Sequence, residues 1–240
     1  VVNRFSQLLL AGLFPNYCTL CGLRSHSPLP LCVACESELQ LNSHCCYQCA
    51  IPLAPDGGES TCGNCLRAPP PFDRVIAPLL YCEQLALLIH RWKYQGESRL
   101  TPMLASLWLR RAPPAAGVDA IIPVPLHWRR LWGRGFNQSE LLARQLQSLN
   151  SQLASTVLHT RSVRRRRATA AQSGIGAAQR SANLRGAFTV NRPYANLRVA
   201  IVDDVLTTGA TATAIATALR RAGAGRVEVW CLARTPAPGD

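Results

Sequence analysis

Lysine is almost missing from this sequence: Lys93 is the only one among 26 lysines and arginines in 240 residues. Acidic residues are also few, 13 in all, so the formal net charge is +13 and nearly all of it is arginine. Such a chain suits nucleotides, pyrophosphate or nucleic acid, because a guanidinium grips phosphate through two parallel hydrogen bonds. Base composition of the gene is the other source of such a bias. Long apolar runs are lacking too. The run Leu8-Leu9-Leu10-Ala11-Gly12-Leu13-Phe14 is too short to span a bilayer and leads into Pro15, not into a small-residue cleavage site. It is expected to be a short helix packed on a soluble, cytoplasmic protein with no transmembrane segment; attachment to a membrane surface is the alternative. Neither repeats nor a disorder-prone composition is present. With 48% hydrophobic residues, the length suits one α/β domain and a small appendage.

Cysteine is plentiful, and almost all at one end. Nine of the eleven lie between Cys18 and Cys65. Eight of these form four C-x-x-C knuckles: Cys18/Cys21, Cys32/Cys35, Cys46/Cys49 and Cys62/Cys65. The spacing lets both thiolates of a knuckle reach one tetrahedral metal, and two knuckles complete a four-sulfur shell, so two zinc ions are implied. Disulfides are the competing account, against which stand the odd cysteine total and the lack of an export signal. Sequential pairing of knuckles is expected in preference to an interleaved cross-brace. Cys45 is a further thiol without the knuckle spacing. His26 and His44 are possible substitute ligands but are expected on the surface. Sites closed in this way are structural: they hold together a segment with little core of its own.

The stiff stretch Pro69-Pro70-Pro71-Phe72-Asp73 divides residues 1–68, the N-terminal helix and double ribbon, from a main domain of residues 74–240. In that domain Arg74–Tyr81 reads as a strand. Leu85–Trp92 reads as a helix closed by Lys93-Tyr94-Gln95-Gly96, where Lys93 either meets a phosphate or favours the helix C-terminus. Thr101–Arg111 reads as a second helix. Val118–Pro125 reads as a central strand delivering His127, Arg129, Arg130, Arg134 and two glycines into a loop before the next helix, which fits a polyanion site. Trp128, Trp132 and Phe136 in that loop either stack on bases or pack beneath it; packing is the expectation. The stretch Val157–Phe188 carries arginine at 164–167 and Arg180 with little apolar content. It is expected to be a basic lid ordered by an anion, with a solvated charge run and DNA contact as the other readings.

Residues 199–211 read Val-Ala-Ile-Val-Asp-Asp-Val-Leu-Thr-Thr-Gly-Ala-Thr. Four apolar residues predict a strand buried on both faces that ends at Asp203 and Asp204. Thr207, Thr208, Gly209, Ala210 and Thr211 then lead into a helix-forming run, presenting backbone N–H groups, hydroxyls and a positive helix end to an anion. Two carboxylates beside such a cradle make sense for a ligand with both a phosphate and sugar hydroxyls.

This stretch resembles the 5-phosphoribosyl-1-diphosphate (PRPP) motif of type I phosphoribosyltransferases. Taken over its whole length, the chain resembles the ComF/GntX family, a double zinc ribbon joined to a phosphoribosyltransferase-like domain. The resemblance rests on the four knuckles, Leu88 to Gly96, Pro123-Val124-Pro125-Leu126-His127, Arg134-Gly135-Phe136-Asn137-Gln138, Arg167-x-Thr169-x-x-Gln172 to Arg180-x-x-Asn183, and the PRPP motif. Cys45 is extra, and Gly174-Ile175-Gly176-Ala177-Ala178 is smaller than the family pattern. The resemblance implies an α/β, parallel-sheet phosphoribosyltransferase fold, Mg²⁺-bound PRPP as ligand, and a role in natural competence and DNA use. It also implies that Asp203 and Asp204 serve the ribose, Thr207 to Thr211 the 5-phosphate, and Arg129, Arg134, Arg167 and Arg180 the pyrophosphate and lid. Transfer to an unidentified acceptor is the implied reaction. A non-catalytic competence factor binding single-stranded DNA, alongside DNA-uptake proteins, is the alternative.

Overall fold

Val199 and Ile201 face one side of the central strand and Ala200 and Val202 the other, and all four are fully buried because each side carries its own apolar cluster. The computed structural model describes residues 16–54, 60–112, 117–165 and 186–236. The run Leu8–Phe14 lies outside them, as do Arg167, Arg180 and most of the expected lid.

The ribbon region contains β1 (Asn16–Tyr17) and β2 (Arg24–Ser25), paired antiparallel, then α1 (Val33–Ser37) and α2 (Gly63–Arg67). The main domain continues with β3 (Arg74–Ile76), β4 (Leu79–Leu80), α3 (Glu83–Tyr94), α4 (Thr101–Arg111) and β5 (Ala120–Pro123). Next come α5 (Trp128–Arg134), α6 (Gln138–Leu149), β6 (Val157–Leu158), β7 (Val163–Arg165) and β8 (Phe188–Val190). The last elements are β9 (Arg198–Leu206), α7 (Ala210–Arg221) and β10 (Arg226–Arg234). Among the described residues the main sheet has six strands in the order β3-β10-β9-β5-β6, with β4 also on β10, and every pairing is parallel. The parallel α/β architecture implied by the resemblance is therefore present.

Three elements depart from the sequence reading. The expected strand Arg74–Tyr81 is broken at Ala77-Pro78, whose carbonyls accept hydrogen bonds from the side chain and backbone of Asn42 instead of continuing the ladder. The central strand β9 does not stop at Asp203 but runs on to Leu206. The basic segment after Pro125 is a helix, α5, not a loop. It begins where Arg130 and Leu131 donate to His127 O and ends where Gly135 turns left-handed at φ 79°.

One apolar cluster lies under α3, α4 and α6, built from Leu88, Trp92, Leu104, Leu107, Trp108, Leu142 and Leu146. Trp108 is fully buried and its indole N–H donates to Cys231 O at 3.0 Å, tying α4 to β10. Cys18, Leu31 and Leu39 belong to this same cluster, so the first half of the ribbon uses the main domain as its core. Glu36 fixes it further by accepting from Arg110 and Arg111 at 2.9 and 3.1 Å. The second half places Ala50 in the opposite cluster with Phe72 and Tyr194.

Candidate functional site

At the C-terminal end of β9 the two carboxylates reach different neighbours. Asp203 Oδ1 accepts from Ser139 Oγ at 3.2 Å and from the Asp204 backbone N–H at 2.9 Å. Asp204 Oδ2 lies 2.8 Å from Lys93 Nζ at the end of α3. Burial, and secondarily the charge of Asp204, pushes the Asp203 carboxyl up to about 7, while Lys93 and Ser139 act the other way. The acidic pair is thus held by α3 and α6 within the last turns of the sheet, and those partners are what let the strand continue through two adjacent acids. Lys93 lies in the last turn of α3, where a cation favours the helix end, and it is also the counter-ion of Asp204, a partner the sequence did not suggest.

Beyond β9 the chain opens. Thr207 and Thr208 are exposed, Gly209, Ala210 and Thr211 partly so. Gly209 caps α7 in the left-handed region at φ 76°, and the Thr208 hydroxyl accepts from Ala210 N–H at 3.4 Å. A β-carbon at Gly209 would meet nothing within 4 Å, so the backbone angle, not crowding, is what favours glycine there. The positive end of a twelve-residue helix and two exposed hydroxyls face the same opening.

The α5 segment leads directly into α6, whose Ser139 contacts Asp203. Asn137 secures its far end by donating to Val124 O at 3.0 Å and accepting from Ser139 N–H at 3.1 Å, capping α6. Arg134 stacks over the Tyr94 ring at 4.6 Å and donates to Gln138 Oε1 at 3.2 Å. The Leu88–Gly96 and Arg134–Gln138 motifs and the acidic pair, far apart in sequence, therefore meet at the C-terminal end of the central strand. Gln138 is buried, and its Nε2 has no hydrogen-bond partner among the described residues. Phe136 packs against the core as expected. Trp128 and Trp132 do not: they are 60% and 84% exposed, because a helix of seven residues presents them outward. Arg129 lies on α5, and Arg165 lies close enough to Asp203 to interact with its charge.

The eight knuckle cysteines form two groups, Cys18, Cys21, Cys32, Cys35 and Cys46, Cys49, Cys62, Cys65, each with sulfurs within 4.8 Å of one another. Pairing is sequential, as the spacing suggested, and Cys45 belongs to neither group. The separations of 3.8 Å between Cys21 and Cys32 sulfurs and 3.7 Å between Cys49 and Cys62 match a tetrahedron of Zn–S bonds of about 2.3 Å. Backbone N–H groups point at the sulfurs, from Cys35 to Cys32 at 3.5 Å and from Cys62 to Cys46 at 3.2 Å. Burial pushes the Cys18 and Cys46 thiols up, but the combined backbone hydrogen bonds outweigh it and bring them down to about 6 and about 7. Both donor sets fit structural zinc.

These features define a parallel α/β protein carrying two four-cysteine groups, and the family comparison agrees on a double zinc ribbon. The double zinc ribbon domain family matches residues 9–66. The chain is 38% identical over 228 residues to DNA utilization protein YhgH of Salmonella typhimurium, spanning 92% of this chain and 98% of that one. Competence protein F of Haemophilus influenzae is 35% identical over 213 residues, spanning 85% and 90%. A purine phosphoribosyltransferase from Pyrococcus horikoshii Ot3 overlaps 59% of this chain and 75% of its own, at 20% identity and a TM-score of 0.32. The chain belongs to the family of YhgH and competence protein F. Among the described residues no helix is long and apolar enough to cross a membrane.

Proposed function

We propose that the chain binds Mg²⁺-PRPP, or a related phosphoribosyl group, at the end of β9 and transfers the phosphoribosyl group to an acceptor amine or ring nitrogen. The observation that supports this reading above others is the meeting of Asp203 and Asp204 with an open, donor-rich turn at one strand end. Thr207 to Thr211 would take the 5-phosphate on backbone N–H groups and hydroxyls at the positive end of α7. Asp203 and Asp204 would accept the ribose hydroxyls. Arg129 and Arg134 are the candidates for the pyrophosphate, and Arg167 and Arg180, which lie outside the described residues, for the lid expected from the sequence.

In the transfer, the bond from the anomeric carbon to pyrophosphate breaks with its electron pair on the leaving oxygen. The acceptor nitrogen supplies the pair for the new bond. Positive charge gathers on the sugar meanwhile, so carboxylates beneath it and cations at the leaving group act on charges that are largest in the transition state. Magnesium, carried on the diphosphate oxygens, would add positive charge to the leaving group. Lys93 sets a positive charge against Asp204 in their 2.8 Å ion pair. Kinship with proteins named for DNA utilization and competence supports a role in DNA uptake and use.

Calorimetry tests the reading: the double variant Asp203→Asn, Asp204→Asn should lose PRPP binding and keep two zinc ions, and an undiminished affinity would contradict it. The exposed Trp128 and Trp132, beside the arginines of α5, favour a second reading, single-stranded DNA binding without transfer. Retention in a gel shift should then fall steeply with salt, and no retention even at low salt removes that reading.

A further inference from the structure

Arg234 closes β10 and is 7% exposed, an unusual burial for a cation with no carboxylate on it among the described residues. Its Nε donates to Cys49 O at 3.1 Å. Its Nη1 donates to Leu206 O at 3.0 Å, to Thr235 O at 2.9 Å and to Thr207 O. One planar group thus spans two places of different chemistry: a ligand residue of the second cysteine cluster, and the end of β9 with the first residue of the turn after it. Because the donors of a guanidinium sit in a rigid fork, it cannot follow one set of acceptors without straining against the other. A cleft of about 490 Å³ separates the two sides, with Cys62 and Cys65 on one wall, Thr208, Gly209 and Thr213 on the other, and Arg234 between them.

We propose that Arg234 is a positioning residue that makes the metal state of the second cluster part of the turn's competence to bind an anion. With the four sulfurs of Cys46, Cys49, Cys62 and Cys65 closed around zinc, the Cys49 carbonyl is fixed. Arg234 then holds the Leu206 and Thr207 carbonyls turned inward, which leaves the N–H groups that follow them directed outward. Once the cluster opens, the carbonyl drifts and the turn loses its anchor. The first cluster packs instead on α3 and α4 through Leu31, Leu39 and Glu36, away from this cleft. Two sites of identical chemistry therefore differ in what they control. The proposal rests on reading Thr207 to Thr211 as an anion-binding turn. If it holds, linkage is reciprocal: an anion on the turn tightens metal binding at the second cluster by the factor by which the metal strengthens anion binding.

The test uses the full chain with both zinc ions and begins without ligand. Amide hydrogen exchange across residues 206–211 is compared in the native chain, Cys21→Ser, Cys62→Ser, Arg234→Gln and Arg234→Lys, with zinc counted in each. Exchange at the turn should quicken about ten-fold in Cys62→Ser and in Arg234→Gln, within the usual range for coupled sites, and stay unchanged in Cys21→Ser. Arg234→Gln should keep two zinc ions, and Arg234→Lys, which retains charge and donors, should recover part of the protection. Should Arg234→Gln fail to fold, the contrast between Cys62→Ser and Cys21→Ser decides alone. Equal turn exchange in those two overturns the proposal. In a second measurement, ribose 5-phosphate should slow zinc transfer from the second cluster to a chelator in the native chain and not in Arg234→Gln. If calorimetry finds no ribose 5-phosphate binding to the native chain, the anion reading of the turn falls. The exchange contrast still decides the role of Arg234.

Discussion

Lys93 Nζ stands 2.8 Å from Asp204 Oδ2, with both side chains less than one-fifth exposed at 16% and 17%, and it is the only lysine in the chain. The pair joins the C-terminal end of α3 to the end of β9 and makes two adjacent carboxylates tolerable. At that exposure solvent screens it weakly, so its removal should be felt. Lys93→Met is expected to cost about 2 kcal/mol in denaturant unfolding, in the range for hydrogen bonds to charged groups. Lys93→Arg should recover part of it. Unchanged stability in the methionine variant would mean that the pair is effectively solvated.

The Asp203 carboxyl offers a pH test. Its ordinary value of 3.8 rises to about 7 through burial and the neighbouring Asp204 charge. Between those values the native chain holds a proton that the unfolded chain has released, so stability from this group falls as pH rises. The contribution is complete below about 3.8 and gone once pH passes about 7. The unfolding free energy of the native chain minus that of Asp203→Asn should therefore decline across this window and level off above it. A flat difference would place the carboxyl at its ordinary value.

Cys45 and Cys46 are adjacent, yet only Cys46 lies in a four-sulfur group. Cys45→Ala should keep two zinc ions by mercurial-driven release. Cys46→Ala should keep one and leave the first cluster intact. Loss of zinc from the Cys45 variant would reassign the ligand.

Trp132, 84% exposed, separates recognition from folding. Trp132→Ala should change stability by no more than about 0.5 kcal/mol, as surface substitutions do. Under the DNA-binding reading it should weaken retention of single-stranded DNA roughly ten-fold, the stacking of about one base. Full retention would remove this surface from consideration.

What could be read from the sequence was local. The C-x-x-C spacing marked the four knuckles and made sequential pairing the preferred of two arrangements, and Val199 to Val202 marked a buried strand because a short β-branched apolar run is bounded there by two acids. The limits came from partners distant in the chain. Asp203 and Asp204 looked like a strand terminus because nothing nearby compensates them; Ser139 and Lys93 do so in the folded chain. The break at Ala77-Pro78 depends on Asn42, and the glycines and arginines of α5 read as a loop although they form a seven-residue helix ended by Gly135. Arg234 gave no local sign at all, since its acceptors lie at Cys49, Leu206 and Thr207.

The most direct measurement is a crystal of the native chain soaked with Mg²⁺ and PRPP. Density for the monoester on Thr207 to Thr211, with the pentose hydroxyls within hydrogen-bond reach of Asp203 and Asp204, is the predicted result. A ligand seated elsewhere, or a turn left empty at saturating PRPP, would contradict the account.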